Sequence, residues 1–162
     1  MKQQNGFTLM ELMVVIAIMA TLAAVAVPNF VAYRDNQSLG AGAREILGAI
    51  KKTRMRAVIE QRTALITFDP DADTYLTFLD DGSGGGVAGN DVQDGTEATI
   101  VSGKLPGNVD MTGAAFGTFG AKNRFDMRGM ASFNGNVTLA NSRGLIRRVI
   151  VLQSGHARII VP

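Results

Sequence analysis

The apolar positions of this chain are arranged in three successive patterns. From Phe7 to Val27, 18 of 21 residues are apolar, and the exceptions are Thr8, Glu11 and Thr21. Every face of this run is apolar, so it has no wet side. At 1.5 Å per residue it makes roughly 30 Å of helix, the thickness of a bilayer core. Pro28 closes it. A proline lacks the N–H and clashes with the carbonyl four residues back, which predicts a kink or local melting there. The period then becomes 3.6. Leu39, Ala43, Ile46, Leu47, Ile50 and Ala57 share an arc of about 100°. Arg44, Lys51, Lys52, Arg56 and Arg62 gather on another side, and Arg54 intrudes on the apolar arc. Gly40 and Gly42 each weaken this helix by about 1 kcal/mol relative to Ala. They read either as a flexible joint or as close packing of helix on sheet.

From Thr63 the period changes to 2. Ala64, Ile66 and Phe68 alternate, Asp69-Pro70-Asp71-Ala72-Asp73 turns, and Tyr75 to Leu79 returns. This is a hairpin signal. Residues 80–95 form a loop rich in Gly and Asp. Further strands are expected at Ala98–Val101, Ala114–Phe119, Arg124–Met127, Ser132–Phe133 with Val137–Leu139, Ile146–Leu152 and His156–Val161, the last two flanking a Gln153-Ser154-Gly155 turn. The fold class is α+β: a long N-terminal helix, then an antiparallel β-sheet or sandwich. The expected divisions are 1–6, a short polar leader; 7–28, an apolar anchor helix; 29–62, an amphipathic helix on the globular domain; and 63–162, the β domain.

Composition sharpens this picture. The chain has 162 residues, one domain's length, with 46% apolar residues. Removing Phe7–Val27 leaves about 40%, ordinary for a soluble domain. The absence of Cys excludes disulfides, thiolate metal sites and cysteine nucleophiles, and one His excludes a multi-histidine metal site within the chain. The net charge of +2 hides segregation: residues 34–62 carry +4, 63–101 carry −8 and 102–162 carry +6.

Glu11 is the anomaly of the anchor. A carboxylate there costs on the order of 2.5–3.5 kcal/mol at a bilayer centre and less near an end, so it calls for a partner. It lies four residues after Phe7, so both are expected on one helix face. A cut between Gly6 and Phe7 would create an amino group able to pair with a carboxylate on its own or a neighbouring helix.

The stretch Gly6-Phe7-Thr8-Leu9-Met10-Glu11-Leu12, after a polar leader with Lys2 and before Pro28, resembles the class III leader site of type IV pilins and of the pseudopilins of type II secretion. The resemblance implies that a prepilin peptidase cuts after Gly6 and methylates the amine of Phe7. It implies that Glu11 neutralises the amine of an adjacent subunit during assembly, with Pro28 a family position in the stem. Arg124-Phe125-Asp126-Met127-Arg128-Gly129, then Asn141, Arg143-Gly144 and Arg148 to Ile159, resemble the C-terminal signature of the GspH/FimT group. GspH-like members are minor pseudopilins of the secretion pseudopilus; FimT-like members are minor type IV pilins, some linked to DNA uptake through a basic C-terminal motif. The two resemblances together imply a pilin-like β domain on a single-pass bacterial inner-membrane protein, with that domain periplasmic. It would be assembled with other pilin-like subunits into a helical filament, either a periplasmic pseudopilus or a surface pilus. DNA or secreted cargo are the further candidate partners.

Arg143, Arg147, Arg148, His156 and Arg158 are the candidate DNA-binding residues. His156 stands where the basic motif has its first Arg, and a neutral His is the weaker phosphate ligand. No aromatic interleaves these bases, which argues against a stacking platform for single strands. Asp69, Asp71, Asp73 and Asp80 approach the spacing of a calcium-binding EF-hand, but Thr74 occupies the glycine position and Asp80 is shorter than the usual bidentate Glu, so the segment reads as a turn. The loop acids Asp80, Asp81, Asp91 and Asp94, with Asn90, are the remaining Ca²⁺ candidate, and the expectation is that no metal or cofactor is held. Ser154 and His156, with Asp126, lack a nucleophile elbow, and Gly82-Ser83-Gly84-Gly85-Gly86 lacks the lysine and helix of a phosphate loop. No catalytic residues are expected.

Overall fold

The computed structural model describes residues 7–162. The expected cleavage residue Gly6 and the leader lie outside the described residues. One helix, α1 (Leu9–Glu60), is followed by eight strands: β1 (Ala64–Asp69), β2 (Thr74–Leu79), β3 (Thr99–Lys104), β4 (Val109–Phe116), β5 (Lys122–Phe125), β6 (Gly135–Asn141), β7 (Ile146–Val151) and β8 (Ala157–Ile160). They form two four-stranded sheets, ordered β3-β2-β1-β5 and β4-β6-β7-β8, with antiparallel pairing throughout. This is the α+β architecture expected from the sequence.

The chain divides into two units, one ending at Arg34 and one spanning Asp35–Pro162. In the first, every residue from Phe7 to Val31 is exposed. The backbone is helical through Pro28, so the expected local melting does not occur. Asn29 donates its side-chain amide to the Val25 carbonyl in that turn (3.1 Å). The first buried residue is Asp35, seven positions after the proline.

The second unit holds the core. Leu39, Ala43, Ile46, Ile50 and Ala57 of α1 are buried in one cluster with residues from both sheets, as their 3.6 period requires. Phe68 of β1 and Phe116 of β4 stack at 5.7 Å, joining the sheets. Gly42 resolves one expectation: a Cβ there would lie 3.4 Å from both Leu105 and Val109. It lets α1 approach those side chains closely and is no flexible joint. Arg54 resolves another. Its Nε donates to the Gly129 carbonyl (2.9 Å), so the cation on the apolar arc stitches α1 to the β5–β6 connection.

Several strand limits differ from expectation. β4 begins at Val109 rather than Ala114, because Val109 and Met111 alternate with exposed Asp110 and Thr112 up to an irregularity before Gly113. Gly117–Phe119 is a 3₁₀ turn instead of strand. β5 starts at Lys122, two residues early, and Ser132–Phe133 belongs to no strand.

Candidate functional site: an apolar stem and a basic sheet

The stem begins with a cap. Thr8 precedes the first helical residue, and its Oγ1 accepts the backbone N–H of Glu11 (3.2 Å). Thr8-x-x-Glu11 has the residue pattern of a capping box, with Glu11 in the first turn, where the helix dipole favours a carboxylate. Phe7 is outside the helix, so Phe7 and Glu11 do not stack on one helical face as the spacing suggested. The cap is legible in the sequence and is hidden by the more conspicuous charge. Beyond it, the large apolar side chains from Leu9 to Val27 stand exposed on all sides. The helix is long and apolar enough to cross a membrane. A surface of this kind needs lipid or other protein around it.

The basic residues of the C-terminal sheet fall into two groups. Arg143 sits in the β6–β7 turn, where its Nε approaches the buried carboxylate of Asp35 (3.4 Å). The same Asp35 accepts the side-chain amide of Asn108 (3.2 Å), and Asn141 donates to Asn36 (3.1 Å). Arg143 is thereby a structural residue at the start of the second unit. Arg147 lies on the same face of β7 as buried Val149 and Val151, half-buried, with its guanidinium carbon 3.6 Å from the position of a Cβ on Gly40. Arg148 and Arg158 are exposed on the opposite face. Arg148 pairs with Ile160 and Arg158 with Ile150, so the two arginines are diagonal neighbours across the β7–β8 ladder. His156, two residues before Arg158, is exposed and precedes β8. The five candidates therefore reduce to three on one outer face, Arg148, His156 and Arg158. The cue was strand parity, which separates 147 from 148.

The acidic loop is also assigned. Asp80 accepts the backbone N–H groups of Gly89 and Asp91; Asp94 accepts Val87 N–H and the Asn90 amide; Glu97 accepts the N–H groups of Gly82 and Asp94. Asp91 pairs with Arg124, and the Lys122 ammonium reaches the Asp91 carbonyl (3.4 Å). Asp81 pairs with Arg62 and accepts the Ser83 N–H (3.0 Å). Hydrogen bonding from Ser83, together with the Arg62 guanidinium, holds the Asp81 carboxyl below its usual value. These carboxylates terminate the loop's own backbone donors, and none of the candidate Ca²⁺ groups converges with two others among the described residues. The EF-hand-like segment is a turn as read: Asp69 accepts the N–H of Asp71 and Ala72, and Asp73 that of Met111.

Residues 1–27 match the model of the prokaryotic N-terminal methylation motif, and residues 42–155 match that of type II transport protein GspH. A fimbrial protein of Pseudomonas aeruginosa is 33% identical over 116 residues, covering 67% of this chain and 75% of that protein. The minor pseudopilin EpsH of the type 2 secretion system of Vibrio cholerae has a similar fold, with TM-score 0.58 at 11% identity, covering 77% of this chain and 98% of that one. The type IV minor pilin FimU of P. aeruginosa gives TM-score 0.54 at 15% identity, covering 75% and 92%. With a methylation motif on its apolar stem and this model matched over its β domain, the chain belongs to the GspH family of pilin-like structural subunits.

Proposed function

We propose that this protein is a minor pseudopilin of a type II secretion pseudopilus, serving protein secretion across the outer membrane. The observation that carries the reading is the pairing of a GspH-matching β domain with a capped, all-apolar stem. A peptidase would cut after Gly6 and methylate Phe7. The new amine then lies beside the membrane surface, where the Glu11 carboxylate of a neighbouring stem meets it. Removal of the leader takes Lys2 with it and leaves Glu11 as the only charged side chain before Arg34. Pro28 falls between the all-apolar run and the first buried residue. The stem is inserted in the inner membrane with the β domain periplasmic. Extraction from lipid into a filament exchanges one apolar surrounding for another, so the cost of the step falls mainly on Glu11, and pairing offsets it.

A second reading has its own support. The P. aeruginosa relative at 33% identity is a fimbrial protein, and Arg148, His156 and Arg158 share an exposed face. In that reading the chain is a FimT-like minor pilin, and the face meets DNA phosphates with steep salt dependence.

Deletion of the gene separates the two. Loss of exoprotein from the medium with surface pili intact supports the pseudopilin; loss of pili or of DNA uptake with secretion intact supports the pilin. A gel shift of the full chain in neutral detergent at low salt tests the second directly, and no retardation removes DNA binding. For processing, mass spectrometry should read Phe7 at the mature N-terminus, and Gly6→Arg should retain the leader. An intact leader in assembled protein would refute the cleavage step.

A further inference from the structure

The second unit distributes its charge unevenly between internal and external partners. Of the eight acids in residues 63–101, only Asp71 has no acceptor role among the described residues: the others take backbone N–H groups or an arginine. The cations are used differently. Arg56, Arg62, Arg124 and Arg143 each have an acidic partner, whereas the other ten Lys and Arg of this unit, among them Lys51, Lys52, Arg54 and Arg128, form no ion pair among the described residues.

Two of these unpaired cations, Lys51 and Arg54, line one apolar groove. It is lined by Lys51, Arg54, Met55, Val58 and Ile59 on the last turns of α1. Gly129 abuts Arg54 and Val58, and Gly155 abuts Arg54, so the turns that carry Met127, Arg128 and Met130 close one side. Met55 is 54% exposed, Ile59 63%, Met127 51% and Met130 48%. Flexible methionine side chains repack around varied apolar anchors. A patch of this composition with a basic margin matches an occupant that is apolar at its centre and acidic at its edge.

We propose that this groove docks an acidic segment of another protein, with a leucine- or phenylalanine-like anchor seated among Met55, Val58 and Ile59. Carboxylates of that segment meet Lys51, Lys52 and Arg128, while Arg54 is held in place by Gly129. The globular unit of a second copy is a poor donor, because its unpartnered acids, Asp71 and Asp110, have no exposed large apolar side chain beside them: Val109 and Met111 are buried, and Asp71 stands between Pro70 and Ala72. Nucleic acid is a poor occupant, because the centre is aliphatic and offers no ring on which a base stacks. The proposal stands on the second unit alone, whichever filament takes the stem.

The test uses the full chain in neutral detergent and a labelled synthetic peptide with leucines set between glutamates. Fluorescence anisotropy should show binding that weakens with salt. Ile59→Asp and Lys51→Glu should each weaken it at least about tenfold. Both positions are exposed, and an unchanged melting curve shows that the fold is kept. Lys104→Glu, the same charge change on β3, should leave binding within about twofold. The proposal fails if the wild-type chain does not bind, or if the Glu→Gln peptide binds equally well. It fails if Lys104→Glu weakens binding as much as Lys51→Glu does, or if a single-stranded oligonucleotide displaces the peptide. In cells, a photo-crosslinking residue at position 59 should map onto an acidic segment of a different protein. A crosslink onto a second copy of this chain would overturn it.

Discussion

The two halves of α1 share a backbone conformation and little else. From Leu9 to Val31 no residue is buried, and the side chains are apolar on every face. From Asp35 to Ala57 ten residues are buried, spaced so that one face meets the sheets and the other carries Arg44, Lys51, Lys52 and Arg56. The second half is stabilised by its own chain; the first must find its surroundings elsewhere. Helix propensity cannot separate them, since both are rich in good helix formers. What separates them is the presence or absence of a polar face, which says whether the partner is internal.

The largest expected effect tests that division with one chemical change made twice. Ile46 is fully buried, and Ile46→Ala should destabilise the β domain by about 2–5 kcal/mol. Ile16 is 57% exposed, and Ile16→Ala should leave the melting of the domain within about 0.5 kcal/mol of wild type. Circular dichroism of the full chain in detergent reads both. Equal losses would mean that the stem and the domain share one core.

The next effect concerns where the self-sufficient unit starts. The buried Asp35 binds Arg143 and Asn108, and Asn36 binds Asn141. A soluble fragment beginning at Arg34 should fold alone. One beginning at Gln37 should be less stable by about 1–3 kcal/mol, having lost the acceptors of two strand-end turns. Denaturant midpoints compare them, and equal midpoints would move the boundary past Asn36.

A smaller effect is pH dependence. Asp81 has its folded value depressed, so its contribution is present above the ordinary carboxylate value of about 3.9 and is lost as pH falls toward the folded one. Tyr75 is opposite in sign. Burial, with its hydroxyl donating to Glu45 (2.9 Å), pushes it well up. The neutral phenol is thus favoured by the fold, and stability should decline as pH rises past about 10. Asp81→Asn should flatten the acid limb, and Tyr75→Phe the alkaline one. An unchanged acid limb in the Asn variant would mean that other carboxylates set it.

The sequence made the stem, the amphipathic helix and the first and last hairpins legible, because each has a clean period and a turn that punctuates it. The Val109–Met111 start of β4 is hard to see because Asp110 and Gly113 dilute an alternation of only two apolar residues. Leu65 and Phe78 show a deeper limit. They are paired across β1 and β2 and fully buried, yet they lie outside the main core, on the other face of the sheet. Asp91 and Lys122 join the 80–97 loop to that face through Arg124 and a backbone carbonyl. Alternation predicts a wet face for one side of a hairpin and gives no hint that a distant polar loop will cover it. The basic candidates were legible as residue types only. Their division into Arg143 and Arg147 on one hand, and Arg148, His156 and Arg158 on the other, came from strand parity and from a buried aspartate that no local pattern ties to the β6–β7 turn.

The smallest prediction returns to α1 and its two kinds of glycine. Gly42 is buried against Leu105 and Val109, whereas a Cβ on Gly48 would meet nothing within 4 Å. In the isolated protein Gly48→Ala should therefore raise stability by about 0.5–1 kcal/mol, through helix propensity and a stiffer unfolded chain. Gly42→Leu should lower it, because the added side chain has no space beside Leu105. If Gly48→Ala stabilises the free chain and yet reduces its incorporation into filaments, the open surface at Gly48 is used by a neighbouring subunit. If incorporation is unchanged, the exposed side of α1 at that level faces solvent in the assembly, and the contacts that hold this subunit in a filament are confined to the stem and to other faces of the domain.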